Sequence, residues 1–206
     1  MKHPGPNLDK SRAYVETIPL CDLRNLVERH HYSRGGANTA TYRHGLFLDG
    51  ILMGGAWWIP PTKAAAMANY SGDWRRVLSL SRLVCVPEAP RNSTSFLLAK
   101  STKAVQKDGK YDMLLTYADE WQNHTGAIYR ACGWTYAGKT TPEPTFVNAQ
   151  GVMMGRKRGP KTYTRAEMEE MGFQLVGRFS RHRYTKNIRE KRKEELTAMN
   201  RNEVKN

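Results

Sequence analysis

Apolar positions along the chain recur with two periods, and the switches between them mark out the elements. Leu20, Leu23, Leu26 and Val27 fall on one face at helical spacing, with Asp22 near the start; the pattern runs out at His30-His31-Tyr32-Ser33-Arg34-Gly35-Gly36. The dozen residues at the front are polar and carry two prolines, which predicts a loose lead-in. Thr41 to Leu48 and Ile51 to Ile59 read as strands joined by Asp49-Gly50, a strong hairpin signal, and Pro60-Pro61 breaks the second. Trp57 and Trp58 are neighbours on that strand and point to opposite faces, so one of them needs a partner outside a single core. Thr62 to Arg76 predicts a short helix or ordered insertion.

The middle of the chain is the most informative. Leu80 to Val86 is an apolar run that passes through Arg91-Asn92-Ser93-Thr94-Ser95 into a helical pattern. Tyr111 to Asp119 is a second run, and His124 to Trp134 closes the segment as a helix. That is strand, polar loop, helix, strand, helix, with polar residues gathered at the carboxyl ends of the strands, where α/β sheets bind ligands. The fold class expected is α/β (α+β): one domain, a mixed central sheet flanked by helices, and a basic C-terminal extension. Beyond it, Thr135 to Gly138 predicts a strand ended by Thr141-Pro142-Glu143-Pro144. Phe146-Val147 and Val152-Met153-Met154 predict a hairpin around Gln150-Gly151. Thr164 with Glu167 is a capping-box start for a helix reaching Met171-Gly172. Gln174 to Tyr184 reads as a last strand. The expected division is a domain over residues 1–185 and a charged tail over 186–206.

Charge then narrows the partner. The 206 residues carry 33 Lys and Arg against 19 Asp and Glu, a net charge of +14. Such a surplus favours a polyanion, nucleic acid before membrane, although a merely soluble basic protein has the same composition. Two runs concentrate it, Arg156-Lys157-Arg158-Gly159-Pro160-Lys161 and the stretch from Arg178 to Lys193, which holds Glu190 as its one acid. Most basic runs are solvated faces. Two together point to phosphate contacts with double-stranded DNA by Arg156, Lys157, Arg158, Lys161, Arg181 and Arg183. Trp57, Trp58, Tyr70, Trp74 and Trp121 are candidates for stacking a displaced base. Three cysteines without metal-type spacing, no bilayer-length apolar run and no signal peptide at Met1-Lys2-His3-Pro4 predict a soluble cytoplasmic protein.

The order of these elements, with Ile128-Tyr129-x-x-x-Gly133-Trp134 at its close, resembles the GNAT acyltransferase fold. The resemblance implies that Arg91, Asn92, Ser93, Thr94 and Ser95 cradle the pyrophosphate of an acyl-coenzyme A such as acetyl-coenzyme A at a helix N-terminus. That loop is usually glycine-rich and here has no glycine, so a plain helix cap by Asn92 or Ser93 is the competing reading. It also implies that Tyr129 protonates a leaving thiolate, against the alternative of a Tyr packed in the core. Gln122, beside Asn123, stands where the fold commonly has Asn.

More narrowly the chain resembles the Mom family of phage DNA-modification proteins, over roughly Cys21 to Tyr184. The matching residues are His31-Tyr32-Ser33, Leu80-Ser81-Arg82-Leu83, Ala89-Pro90-Arg91-Asn92-Ser93, Tyr117-Ala118-Asp119, His124-Thr125-Gly126-x-Ile128-Tyr129 and His182-Arg183-Tyr184. The resemblance implies conversion of adenine in DNA to N6-carbamoylmethyladenine, which shields phage DNA from restriction. It also implies an iron site at His31, Tyr32, Asp119 and Tyr129. One imidazole, one carboxylate and phenolate oxygens suit iron better than zinc. Adjacent residues such as His31 and Tyr32 rarely ligate one ion, and Asp119 serves equally as a general base for the adenine amine. Catalysis is assigned on this reading to Asp119, Tyr129, Arg82 and Tyr32, with the base extruded from the duplex. Two rivals stand beside it: an N-acetyltransferase of a protein, RNA or small amine, and a DNA-binding module that has lost its chemistry.

Overall fold

The computed structural model describes residues 5–189. In chain order its elements are β1 (Ala13–Thr17), α1 (Leu20–His30), β2 (Tyr42–Leu48), β3 (Ile51–Ile59), α2 (Lys63–Met67), β4 (Val77–Cys85), α3 (Ser93–Asp108), β5 (Met113–Asp119), α4 (Ala127–Ala131) and β6 (Thr135–Lys139). The later part holds β7 (Glu143–Val147), β8 (Met153–Met154), β9 (Lys157–Arg158), β10 (Lys161–Thr162), α5 (Arg165–Glu170), β11 (Gln174–Phe179) and β12 (Arg181–Asn187). The main sheet has the order β1-β2-β3-β4-β5-β12-β6, and β4–β5 is its parallel pair.

Helices cover both faces of this sheet, which resolves the Trp57-Trp58 conflict. Trp57 packs under α1 with Leu23, Leu26 and Val27, whereas Trp58 packs on the opposite face with Leu97 and Leu98 of α3 and with Trp134. Both indoles are fully buried. Each removes roughly 150–250 Å² from water, on the order of 4–6 kcal/mol of gross burial at about 25 cal/mol per Å². Their N–H groups are satisfied by the Thr39 carbonyl at 3.0 Å and the Ser101 hydroxyl at 2.7 Å. Neither is available to stack a base. The β2–β3 hairpin turns as expected at Asp49 and Gly50, both with positive φ (52° and 79°).

One irregularity positions the site. β4 and β5 pair from Val77–Met113 to Leu80–Thr116 and no further. On the other side of β4, Trp58 faces Leu80 and Trp57 faces Arg82, so Ser81 is the extra residue of a bulge. A bulge bends its strand; beyond it β4 turns away from β5, and the edge from Ser81 to Cys85 that faces β5 is left unpaired.

Three expectations about elements are corrected. The front segment is not loose: Ala13 to Thr17 forms β1, and Leu8 N–H donates to the Arg91 carbonyl at 2.9 Å. The Thr135 strand does end before Thr141-Pro142, but Glu143-Pro144 opens β7 rather than belonging to the break. Pro144 sits there without breaking a ladder because β8 pairs only with Phe146 and Val147. Gln174 to Tyr184 is two strands, divided at buried Ser180. β11 belongs to a separate sheet of order β11-β7-β8, while β12 returns to the main sheet. β12 also runs past residue 185 to Asn187, and Ile188 is buried, so the main sheet extends into the expected tail. The remainder of that tail, with Lys191, Arg192 and Lys193, lies outside the described residues.

Residues 140–180 thus form an insertion between β6 and β12, capped by the expected Thr164–Glu167 box at α5. Arg181, the first residue of β12, faces Asp119, the last of β5. The insertion therefore springs from the end of the sheet where β4 and β5 diverge.

Candidate active site

The divergence opens a cleft of about 890 Å³. Its walls are the end of α1, the free edge of β4, the start of α3 and the turn leading into α4. Leu80–Thr116, the last pair before the strands part, is its apex; the Thr116 hydroxyl donates to the Leu80 carbonyl at 3.1 Å.

Tyr129 sits at that apex. Its ring lies among those of Trp134 and Tyr184, with centroids at 5.7 and 5.3 Å, and the residue is 9% exposed. Burial pushes its hydroxyl pKa up, opposed by a hydrogen bond with Thr116. The phenol is therefore neutral and able to donate a proton. Tyr129 is packed in the core, as one sequence reading has it, and also lines the cleft.

Asp119 ends β5 and is nearly buried. One carboxylate oxygen accepts from the Trp121 main-chain N–H at 3.2 Å, which starts a single 3₁₀ turn over Glu120–Gln122. The other faces the Tyr32 hydroxyl at 3.5 Å, a long contact of the kind that tightens on ligand binding. Burial first, then the negative charge of Asp119, pushes Tyr32 up to about 12, with Arg82 opposing. His31 stacks on Tyr32 at 4.3 Å, and His124 meets the Tyr32 ring edge-on at 5.6 Å. Burial, and behind it the charges of Arg82 and His124, lower His31 to about 4. Its Nδ1 accepts from the Ser33 N–H at 3.2 Å, which leaves the ring proton of neutral His31 on Nε2.

Arg82 comes from β4 just past the bulge. It donates to the Gly35 carbonyl at 2.9 Å and the Ser81 carbonyl at 2.7 Å, pinning the loop after α1 across the front of the cleft. Its hydrogen bonds go to carbonyls and a hydroxyl, so its charge is not neutralised by a carboxylate. Tyr129, Arg82, Tyr32 and His31, widely separated in sequence, line this one cleft, and Asp119 adjoins it through Tyr32.

The start of α3 fits an anion in part. Asn92, Thr94 and Ser95 line the cleft. Asn92 adopts a left-handed conformation (φ 68°) and makes no side-chain cap, so the competing helix-cap reading is not what this loop does. The first-turn N–H groups of Thr94 and Ser95 are the donors that such a helix start leaves free. The expectation is corrected at two residues. Ser93 is buried beneath the loop, its hydroxyl without a partner, and Arg91 is exposed outside the cleft with its backbone bridged to Asn7. Gln122 and Asn123 both line the opposite wall.

Iron fares less well. His31 and Asp119 supply one imidazole and one carboxylate, and among the described residues no three His, Cys, Asp or Glu side chains gather as a metal-binding group. The two phenols that would complete the set are held toward the neutral form, and Arg82 puts a cation beside His31 and Tyr32. As arranged, these groups do not fit an iron ion.

The basic residues divide. Arg181 is exposed opposite Asp119, and Lys157 is exposed on the β9–β10 hairpin, whose second β9 residue is Arg158. Arg156 donates to the Tyr163 carbonyl at 2.9 Å, and Lys161 pairs with Glu167 at 2.6 Å. Arg183 is turned inward: Nε and Nη2 both donate to the Ala137 carbonyl, at 3.0 and 2.6 Å, and it is no phosphate contact as arranged. Sequence reasoning missed His124 and Ser81 as parts of the site. His124 was legible as a polar residue between a strand end and a helix, whereas the bulge at Ser81 depends on the pairing of β3.

The sequence profile of the Mom protein family matches residues 12–204. The chain belongs to the Mom family. No curated relative matches the sequence itself. Among solved structures, this Mom-family chain is similar to an N-acetyltransferase from Staphylococcus aureus Mu50, with TM-score 0.51, 12% identity, and 85% of this chain and 98% of that one covered. It is similar also to the spermidine N-acetyltransferase of Vibrio cholerae, solved with CoA and spermine, with TM-score 0.53, 11% identity and coverage of 86% and 96%. A third is the ribosomal-protein-S5-alanine acetyltransferase of Vibrio fischeri, with TM-score 0.52, 7% identity and coverage of 87% and 95%. At these identities the likeness establishes the GNAT-like fold. No helix among the described residues is long and apolar enough to cross a membrane.

Proposed function

We propose that this protein is a DNA-modifying transferase that converts adenine in duplex DNA to N6-carbamoylmethyladenine and so shields phage DNA from restriction. The observation that carries the reading is the meeting of Asp119 with Tyr32 at the edge of the cleft of a Mom-family chain. Asp119 accepts a hydrogen of the N6 amine and orients it; the Tyr32 hydroxyl holds the carboxylate on its other side. Tyr129 donates a proton to the departing atom from the apex. Arg82 keeps a positive charge where negative charge develops during transfer.

The residues suit an acyl-coenzyme A at the opposite wall, with Thr94, Ser95 and Asn92 toward its pyrophosphate and the β4 edge toward its arm. Acetyl-coenzyme A alone would not supply the carbamoylmethyl group. Simple acetyl transfer would leave an amide on N6, whereas the family product attaches nitrogen to a methylene carbon.

Mass spectrometry of nucleosides from the DNA of cells expressing the chain tests the proposal. The expected product is deoxyadenosine heavier by one carbamoylmethyl group. Deoxyadenosine heavier by an acetyl group alone would instead mark an ordinary N-acetyltransferase chemistry. Unmodified DNA in cells rich in folded protein would remove the reading.

A further inference from the structure

Asp119 is 6% exposed. An adenine inside a duplex cannot bring its amine to a carboxylate that deep, so on the proposed function the base must leave the stack and something must hold the gap. Two residues beyond Asp119 stands Trp121. Its main-chain N–H is bonded to the Asp119 carboxylate, so its position is tied to that of the reacting group. The turn that carries it is fixed from the other side: Glu120 accepts from the Ser180 N–H at 3.1 Å and from Lys139 at 2.6 Å. Asn123 ends the turn in the left-handed conformation.

The indole itself has no structural assignment. Trp121 is half-buried, yet it packs against none of the three hydrophobic clusters. Its ring has no aromatic or cationic partner and its N–H makes no hydrogen bond among the described residues. The other candidates are committed elsewhere. Trp57 and Trp58 are core, Tyr70 bonds Asp112 at 3.1 Å, and Trp74 packs against the cluster around Ala66, Val77 and Leu115. Cations stand at the same end of the sheet. Arg181 faces Asp119 across the β5–β12 ladder and Lys139 lies beside Glu120. A large half-buried ring without a partner, two residues from Asp119 and at the same end of the sheet as Arg181, matches the way wedging side chains enter a duplex while its phosphates are held alongside.

We infer that Trp121 is the wedge that enters the duplex and occupies the gap left by the extruded adenine. This rests on the proposed function for its substrate, but it is read separately. Purified protein is added to saturation to genomic duplex DNA, which contains every sequence context, and thymines unstacked opposite an extruded base are measured by their reactivity to permanganate. The parent raises thymine reactivity well above that of free DNA. Trp121→Ala leaves it at background at equal occupancy, and Trp121→Phe retains part of the increase. In cells, Trp121→Ala lowers modified adenine about tenfold or more, because the unstacked step is no longer supported. Both variants melt like the parent, since the ring belongs to no core cluster. Thymine reactivity equal in the parent and Trp121→Ala would overturn the inference, and so would a parent that raises none. If the parent unstacks thymines through Trp121 but its DNA carries no carbamoylmethyl group, the wedge stands and the proposed chemistry falls. Modified DNA with thymine reactivity indifferent to Trp121 gives the reverse.

Discussion

Burial and neighbouring cations hold the His31 imidazole near pKa 4, against an ordinary value of 6.5. Between those two values the unfolded chain binds a proton that the folded chain refuses, so stability rises with pH across the window and is lost as pH falls through it. Buried His44 is shifted in the same direction. Urea unfolding at a series of pH values from 7 to 4 should therefore show a falling free energy, and His31→Gln should flatten the slope by up to one proton. A slope unchanged in that variant would mean that His31 is not held neutral by its surroundings. Tyr129 is a different case, because its ring and hydroxyl have separate duties. Tyr129→Phe keeps the ring among Trp134 and Tyr184, so the fold should survive while modification falls by about 100-fold or more. Near-parental modification by a well-folded Tyr129→Phe would leave the hydroxyl without a role.

At the scale of elements, the turn into α4 is the least replaceable. Gly126 has φ +71°, and a Cβ there would lie 2.2 Å from the ring of Tyr184, itself fully buried. The Tyr184 hydroxyl donates to the Thr125 carbonyl at 2.6 Å and locks the same turn from the β12 side. Gly126→Ala should therefore destabilise the domain by more than about 1 kcal/mol, from the backbone conformation alone, and displace His124 and Tyr129 together. A thermal melt coinciding with that of the parent would contradict this. The same comparison explains what could be read from sequence. The Asp49-Gly50 hairpin and the Thr164–Glu167 box are set by a few adjacent residues, so they were legible. β1 was not, because it is short, its neighbours are polar, and it exists by pairing with β2. The division at Ser180 was hidden for a related reason: β11 and β12 are continuous in pattern and differ only in the sheet they join. Asp119, Tyr129, Tyr32 and Arg82 came from ordered motif resemblance, and no local pattern would have brought His31-Tyr32 to the end of β5. Arg91 and Ser93 were misplaced because a loop sequence does not say which of its residues turn inward.

Over the whole molecule, the cleft and the insertion open at one end of the sheet, and on the proposed function the net charge of +14 is the reservoir for holding DNA there. If about five phosphates are contacted, log affinity for duplex DNA should fall with a slope of roughly −4 to −5 against log salt. Lys157→Ala and Arg181→Ala should each flatten it by about one, whereas Arg183→Ala should not, because its guanidinium is spent on Ala137. Equal effects at all three would place the DNA face elsewhere. The central claim is that Asp119, beside Tyr32 at the edge of the cleft, acts on the adenine amine. Quantifying carbamoylmethyl-deoxyadenosine in DNA from cells expressing the parent or Asp119→Asn, with both proteins shown to be folded and to bind duplex DNA alike, tests it most directly. The account predicts abundant modified adenine with the parent and none above background with the variant. Comparable modification in both would contradict it.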